Sequence, residues 1–286
     1  MRTPNHVKHG LLALSVCLLS ASLFSCTFPW NAGSPPGSPP NSPPPYVSPH
    51  DFEQLVRDDS GRLYYYQDGM VRSRFGVDVS EHQGHIDWQA AADDGVEFAL
   101  IRLGNRGATE GHLYLDAYFE ANLEGAEQAG ILTGVYFFSQ AINEEEAREE
   151  AQFVLTHLDG RTLNYPVAFD HERVVPDGGR VNSLNGEQVS RCAAAFFEVL
   201  QAAGYTTMLY GNSNDLNRLG AATLDSHDLW FAEYGTTHPT LEHDLVIWQY
   251  TSHGSVEGIP TYTDLNIHFL PPDKQAATRV RPSFEK

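Results

Sequence analysis

The stretch YPVAFDHE, residues 165–172, is apolar over most of its length and then ends on Asp170, His171 and Glu172. A short apolar run of this kind predicts a buried β-strand, and its polar end predicts where that strand leaves the core. The same pattern recurs seven more times between residues 75 and 267. The eight candidate strands are FGVDVS (75–80), FALIRLG (98–104), ILTGVYFFSQ (131–140), YPVAFDHE (165–172), TTMLYGN (206–212), LWFAEY (229–234), LVIWQYT (245–251) and DLNI (264–267).

Amphipathic stretches with helical spacing separate the first five candidate strands, and Gly130 and Gly204 are well placed to end two of them. After the fifth strand the spacers are short and lose most of their helical character. Alternating strands and helices predict a parallel sheet, and eight strands predict a closed α/β barrel. We expect this barrel to be covered by helices on its first half and bare on its second.

The N-terminal quarter has a different composition from the barrel. Residues 1–25 combine Arg2 and Lys8 with the apolar run LLALSVCLLSASLF, which predicts a signal peptide. Cys26 follows LFS, which resembles a bacterial lipobox, so we expect lipidation there, with ordinary cleavage or an uncleaved anchor as alternatives. Residues 26–50 are rich in Pro and Ser and predict an extended linker.

Three further predictions concern the folded part and its partners. Residues 51–74 predict a small hairpin-like extension packed on the barrel of residues 75–270, and residues 271–286 form a C-terminal tail. The chain has 3 cysteines, of which only Cys192 lies in the body, so an apolar core must provide the stability. A formal net charge of −19 argues against nucleic acid as a partner. We expect an exported monomer that is anchored in the cell envelope if Cys26 is lipidated and secreted otherwise, with membrane contact only through that N-terminal lipid.

Polar side chains stand at the carboxyl ends of the candidate strands, where the active sites of such barrels lie. If the strands are in register, acids from well-separated strands meet at one mouth of the barrel. Aromatic side chains near the same ends, including Trp248, offer flat faces for sugar rings. The polar and charged positions, with two tyrosines among them, are Asp78, Arg102, Tyr136, Asp170, Glu172, Tyr210, Glu233, Gln249 and Asp264.

The spacing Asp-x-Glu places Asp170 and Glu172 on one face of a strand and turns His171 to the other. Neighbouring carboxylates raise each other's proton affinity, so one of them can stay protonated near neutral pH and act as a general acid. Glycoside hydrolysis needs such an acid beside a second carboxylate.

Structural and metal-binding interpretations of the same residues also exist. Asp170 could pair with Arg102, and the aromatic side chains could simply pack the barrel. His82 and His85, with His171 or Asp170 nearby, could form a metal site. Histidines are frequent in this chain and no tight metal-binding spacing is present, so we expect no metal and no cofactor.

Motifs in a fixed order resemble the glycoside hydrolase family 25 lysozymes over about residues 75–269. They are FGVDVSEHQGHIDW, GVYFFSQA, YPVAFDHE, GYTTMLYGN, LWFAEYG and VIWQYTSHGSVEGI followed by DLNI. The resemblance implies an irregular TIM-like barrel of five β/α units followed by three β-strands. It also implies a muramidase that cuts the β-1,4 bond between N-acetylmuramic acid and N-acetylglucosamine in peptidoglycan.

The resemblance also assigns roles to individual residues. It makes Glu172 the general acid and places Asp170 beside the scissile bond, as N-acetyl orienter, charge stabiliser or nucleophile. It places Asp78 and Asp264 in the same acidic cluster. It matches the groove-lining positions to Tyr136, Tyr210, Trp230, Tyr234 and Gln249.

Two other functions fit the same sequence. A peptidoglycan-binding domain without catalysis would use the aromatic groove alone, and a metal-dependent polysaccharide deacetylase would use a related barrel. Four acids at one barrel mouth favour the hydrolase, because a binding domain gains nothing from buried like charges.

Overall fold

The computed structural model describes residues 45–174 and 178–271. The predicted signal peptide, Cys26 and most of the Pro/Ser-rich linker lie outside these residues, as does the tail after Pro271. Within the described ranges, no helix combines the length and apolar character needed to cross a bilayer.

A small antiparallel sheet precedes the barrel. Its strands are β1 (Leu55–Arg57), β2 (Leu63–Gln67) and β3 (Met70–Val71), paired in the order β1-β2-β3. The ring of Tyr65 meets that of Phe269 edge-on at 5.5 Å between centroids. Tyr65 N also donates to Ser73 Oγ at 2.9 Å, so this sheet is tied to the first barrel strand.

Eight strands close the barrel, in agreement with the predicted fold class. The first strand, β4, pairs with β5 in parallel and with β12 in antiparallel orientation, which joins the two edges. The other barrel strands pair in parallel, except that β12 is antiparallel to β11. The strands are β4 (Ser73–Val79), β5 (Phe98–Arg106), β7 (Leu132–Phe138), β8 (Val167–Asp170), β9 (Thr207–Asn212), β10 (Asp228–Ala232), β11 (Ile247–Gly254) and β12 (Thr263–Phe269).

Strand β6 (Leu113–Leu115) is an element that the sequence pattern did not predict. It pairs antiparallel with the end of β5, from Gly104 to Arg106, and forms a hairpin beside the barrel. The strand is only three residues long and half exposed, so it carries no apolar periodicity that would predict it.

Helices cover the first half of the barrel, as the spacing of the strands predicts. Asn143 caps α3 by accepting from Glu146 N, and Asn185 forms a capping box with Gln188 at the start of α4. Between β9 and residue 271, the last that the structure describes, the helices are short turns. The helices are α1 (Trp88–Asp93), α2 (Phe119–Gln128), α3 (Glu144–Leu158), α4 (Gly186–Ala202), α5 (Ser213–Leu216) and α6 (Ala221–Leu224).

Strand alternation divides the buried side chains into two groups. Outward-facing residues such as Val77, Ile101 and Phe169 pack beneath the helices and form the larger core. Inward-facing residues form a smaller cluster inside the barrel: Phe98, Leu100, Tyr165, Ala168, Met208, Trp230 and Ile247. Apolar side chains therefore fill the centre of the barrel, and the inward-facing polar side chains lie toward its ends.

Gly76 provides a test of this interior packing. It lies on β4 opposite Phe98, and an added Cβ would collide with the Phe98 ring. That ring is fully buried and stacks on Tyr165 at 4.6 Å, so it cannot move aside. We expect Gly76→Ala to cost about 1–3 kcal/mol and to lower the Tm, measured by calorimetry, by about 2–4 °C per kcal/mol.

Gly220→Ala is the matched control, because nothing lies within 4 Å of a Cβ added there. We expect its Tm to stay within about 2 °C of the parent protein. Equal stability of the two variants would contradict the proposed close packing of β4 against Phe98.

Candidate active site

A cavity of about 210 Å³ opens where the carboxyl ends of the parallel strands meet the amino end of the antiparallel strand β12. It collects side chains from all eight barrel strands and from Glu172, two residues beyond the end of β8. Four of its lining residues are carboxylic acids, as the strand ends predict. The lining residues are Asp78, Arg102, Tyr136, Phe138, Asp170, Glu172, Tyr210, Trp230, Gln249 and Asp264.

Asp78 lies at the seam where the barrel closes. It is directly opposite Asp264 in the register between β4 and β12, so two acids face each other across neighbouring strands. Asp78 Oδ2 accepts from Gln249 Nε2 at 2.8 Å and from Asn266 Nδ2 at 2.7 Å. These donors partly compensate a carboxyl that is only 6% exposed.

The two amide side chains that hold Asp78 are oriented by aromatic residues. Gln249 Oε1 accepts from Tyr210 Oη at 3.0 Å and from Tyr234 Oη at 2.6 Å. Asn266 Oδ1 accepts from Trp230 Nε1 at 2.8 Å. Because each amide oxygen already accepts a hydrogen bond, each amide nitrogen is directed toward Asp78.

The aromatic residues differ in how much ring they present to the cavity. Trp230 is 1% exposed and packs against Tyr136 and Tyr210, with ring centroids 5.8 and 4.3 Å away. Tyr234 is 47% exposed and stands at the rim, where its hydroxyl also reaches Asp264 Oδ1 at 3.5 Å. Tyr234 therefore offers the most accessible flat surface of this group.

Asp170 ends β8, and Glu172 follows two residues later on the same side, as the Asp-x-Glu spacing predicts. Their carboxyls lie within hydrogen-bonding reach of each other. Asp170 Oδ1 is buried and has no hydrogen-bond partner among the described residues. Asp170 thus carries a buried acceptor whose hydrogen-bonding capacity is unused among the described residues.

His171 points to the opposite side of the chain and stacks on Phe169 at 5.5 Å. Its Nε2 lies 3.2 Å from Ala141 O, and its Nδ1 lies 3.2 Å from Arg218 Nη2. A carbonyl can only accept and a guanidinium can only donate, so the ring is neutral with the proton on Nε2. Burial agrees with this, because it lowers the pKa of His171 to about 4.

Burial keeps protons on the acids of the cavity. It raises the pKa of Glu172 to about 7, with a further contribution from the charge of Asp215. It raises the pKa of Asp264 to about 6. It also raises the pKa of Asp170 and Asp78 well above the usual range, with the charges of Glu172 and Asp264, respectively, as the next causes. The Asp170–Glu172 pair therefore holds at least one shared proton near neutral pH.

Three residues named from the sequence are not among the lining residues: Tyr234, whose hydroxyl contacts the lining from the rim, and Trp248 and Glu233, which point elsewhere. Trp248 is a correction to the predicted groove residues: it is fully buried, faces outward from β11 and donates from Nε1 to Glu233 O at 2.9 Å. Its ring is unavailable to a ligand because its neighbour Gln249 takes the inward position. Glu233 is also directed elsewhere, since its carboxylate accepts from Thr240 N and Thr240 Oγ1.

Arg102 lines the cavity but does not pair with Asp170. Its Nε donates to Asp116 Oδ2 at 2.7 Å, and its Nη2 donates to Glu81 Oε1 at 2.9 Å. Asp116 lies between β6 and α2, a position that strand-end reasoning does not examine. The hypothesis that Asp170 is neutralised by Arg102 is therefore wrong.

Two polar residues of the site were missed by reasoning from strand ends. Asn266 lies within β12, two residues after Asp264. Strand alternation places these two side chains on one face, so applying it to Asp264 predicts Asn266 as a site residue. Asp215 lies on α5 and acts on Glu172 through its charge. No strand pattern places a residue of that short helix beside β8.

The protein family described as "Glycosyl hydrolases family 25" matches residues 77–259. The chain belongs to this family. The match begins within β4 and ends just before β12, so it covers the barrel strands that supply Asp78, Asp170 and Gln249. Asp264 and Asn266 lie just beyond its end.

Individual relatives agree with the family assignment. The chain is 30% identical over 191 residues to the "Autolytic lysozyme" of Clostridium acetobutylicum, covering 67% of this chain and 54% of that protein. It is 29% identical over 205 residues to "Lysozyme M1" of Streptomyces globisporus, covering 67% of this chain and 66% of the relative. The chain thus spans between half and two thirds of these relatives.

Solved structures give the same fold. The modular autolysin LytC of Streptococcus pneumoniae, determined in complex with a synthetic peptidoglycan ligand, superposes with a TM-score of 0.63 at 25% identity. The matched region covers 74% of this chain and 51% of LytC.

The charge state of Glu172 should make stability depend on pH. Its pKa in the folded protein is about 7, above the usual value for Glu. The free energy of unfolding therefore falls as the pH rises from the usual value for Glu to about 7. Glu172→Gln removes this loss. We expect the Tm of the variant, relative to the parent protein, to be higher at pH 8.5 than at pH 5, by about 2–4 °C per kcal/mol recovered.

Differential scanning calorimetry at the two pH values measures this difference. Glu187→Gln is the control, since the Glu187 side chain is 81% exposed and replacing it removes no buried carboxyl. The same Tm difference at both pH values for Glu172→Gln would show that Glu172 ionises as readily in the folded chain as in the unfolded chain.

Proposed function

We propose that this chain is a peptidoglycan hydrolase that cleaves the β-1,4 bond between N-acetylmuramic acid and N-acetylglucosamine with net retention. The observation that carries the proposal is the Asp170–Glu172 pair in an open cavity, with the pKa of Glu172 near 7. Such a carboxyl can donate a proton at neutral pH and accept it back. Family membership and relatives named as lysozymes support the choice of substrate.

In the proposed reaction, Glu172 first protonates the glycosidic oxygen as the bond to the anomeric carbon breaks. The carbonyl oxygen of the substrate's own N-acetyl group attacks that carbon, and Asp170 accepts a hydrogen bond from the acetamido N–H. Glu172, now ionised, removes a proton from water, which opens the cyclic intermediate from the leaving-group side. Two inversions at one carbon give net retention.

The geometry of Asp170 favours this route over direct attack by its carboxylate. A protein nucleophile stands about 5–5.5 Å from the acid, whereas an inverting pair is separated by about 6.5–9.5 Å. Asp170 and Glu172 are within hydrogen-bonding reach, which is closer than either arrangement. The Asp170 carboxyl lines the cavity and can supply the acceptor that an acetamido group needs.

The remaining acids and amides have a supporting role in this proposal. Asp78 is held by two amide side chains and is turned toward Asp264. In the proposal, these two carboxyls stabilise positive charge that develops on the sugar ring. Tyr234, at the rim, is the proposed stacking surface for a saccharide.

The alternative functions have less support. Among the described residues, no three His, Cys, Asp or Glu side chains are grouped so that they could hold a metal ion, so no observation favours a deacetylase. A silent binding domain would not need the buried acids that the cavity retains. Export, lipidation of Cys26 and a monomeric state stay predictions of the sequence.

Replacing the acid tests the proposal. We expect Glu172→Gln to leave the fold intact and to reduce clearing of a cell-wall suspension by at least about 10²-fold, because the amide cannot protonate the leaving oxygen. Mass spectrometry of fragments released by the parent protein should show N-acetylmuramic acid at the new reducing end. Near-normal clearing by the variant, or N-acetylglucosamine at that end, would reject the assignment.

The pH dependence of the reaction follows from the same group. Glu172 acts as the acid only while protonated, and its pKa is about 7. We therefore expect kcat/KM on soluble peptidoglycan fragments to fall about tenfold per pH unit well above pH 7. A rate that stays level up to pH 9 would mean that another group donates the proton.

A further inference from the structure

Three consecutive residues after β7 hold the three residues of the Asp-His-Glu segment. Ser139 N donates to Asp170 O at 2.7 Å, and Gln140 Nε2 donates to Glu172 O at 2.9 Å. Between these two contacts, His171 Nε2 donates to Ala141 O at 3.2 Å. The residues 139–141, called the clamp here, thus make one hydrogen bond to each of residues 170–172: Ser139 to Asp170, Gln140 to Glu172 and Ala141 to His171.

The clamp lies where regular structure stops on both sides. Strand β7 ends at Phe138 and α3 begins at Glu144, while β8 ends at Asp170. Backbone groups beyond a strand end have lost their ladder partners and must find others when buried. Here the side chain of Gln140 replaces a ladder bond, and without it the carbonyl of Glu172 would lack this partner.

Gln140 is suited to this task by its own fixed orientation. It is fully buried, and its Nε2 donates both to Ser139 O, at 3.0 Å, and to Glu172 O. Its Oε1 has no hydrogen-bond partner among the described residues. Both neighbouring groups are carbonyls, so only the amide nitrogen can face them.

A buried ion pair between Arg106 and Glu150 contacts the clamp through Ser139. Glu150, on α3, is fully buried and accepts from Ser139 Oγ at 2.6 Å. Its other oxygen accepts from Arg106 Nε at 2.8 Å. Arg106 in turn donates to Gly111 O and Glu146 O, which ties the pair to the β5–β6 hairpin and to α3.

We propose that Gln140, supported by Glu150 and Arg106, is a positioning residue that fixes the carboxyl of Glu172 against Asp170 for proton transfer. This inference rests on the proposed function of Glu172 and extends it to residues that do not line the cavity. Proton transfer is sensitive to small displacements, and a misplacement of about 1 Å can cost about 10²-fold in rate. A buried carboxyl that moves away from its partner also changes its proton affinity.

Gln140→Leu tests the proposal, because it keeps the side-chain volume close to that of Gln and removes the donor to Glu172 O. We expect kcat on soluble peptidoglycan fragments to fall at least about tenfold, while KM changes less than about twofold, since the cavity lining is intact. The alkaline limb of the pH–rate profile should shift as the Asp170–Glu172 pair loosens. Unchanged kcat and an unchanged profile would overturn the proposal.

Asn122→Leu is the matched control for loss of a buried amide. Asn122 is 2% exposed and accepts from Trp88 Nε1 at 3.3 Å, in the interface of α1 with α2 and away from the cavity. We expect this variant to lose stability but to keep the kcat and the pH–rate profile of the parent protein. Equal losses of kcat in both variants, measured well below their Tm values, would assign the effect of Gln140 to general destabilisation.

A measurement without substrate separates this proposal from the proposed function. Carboxyl ¹³C NMR of protein labelled at Glu follows the titration of Glu172, assigned by its absence in Glu172→Gln. We expect the Glu172 titration to shift in Gln140→Leu but not in Asn122→Leu. An active parent protein with an unshifted Glu172 overturns the clamp alone, whereas a shifted titration in a chain that cuts no wall overturns the proposed function alone.

Discussion

The pairing of β4 with both β5 and β12 is the constraint on which the site depends. It closes the barrel, and the closed barrel decides which side chains point inward. Asp78 and Asp264 meet because the pairing of β4 with β12 places them opposite each other. Asn266 on β12 and Gln249 on the next strand, β11, both donate to Asp78. In an open sheet of the same sequence, the first and last strands would lie at opposite edges and these contacts could not form.

Closure of the barrel brings four carboxyls together, and their mutual repulsion is unfavourable when they are ionised. Four carboxyls in one small cavity cannot all be ionised at neutral pH, because burial and mutual repulsion favour the protonated forms. Neutral donors offset part of this cost at Asp78, where two amides supply hydrogen bonds without adding charge. In the proposed function, a proton retained by the Asp170–Glu172 pair is the one that cleavage of a glycosidic bond would use.

Sequence periodicity predicted most of the fold, because each strand buries enough apolar side chain to leave a clear pattern. It also predicted Asp170 and Glu172, since position at a strand end and alternation need no tertiary information. It failed for Trp248, because an aromatic residue beside Gln249 fits either face until the register fixes which of the two points inward. It failed for Asp215 because proximity to Glu172 arises from the path of the chain after β9, and four residues of helix leave no readable pattern.

The polar groups of this protein divide by what they contact. Those of the cavity face one another, and Asp170 Oδ1 is left without a hydrogen-bond partner among the described residues. A second set of polar groups lies outside the cavity lining: Arg106 donates to Glu150, and Glu150 accepts from Ser139. Ser139 in turn donates to the backbone of Asp170, in the segment that carries Glu172. A carboxyl that must give up and regain a proton cannot also anchor its own backbone, because its hydrogen bonds change at each step. Anchoring by Gln140, whose amide does not titrate, keeps the backbone of Glu172 in one place while the charge of its side chain changes.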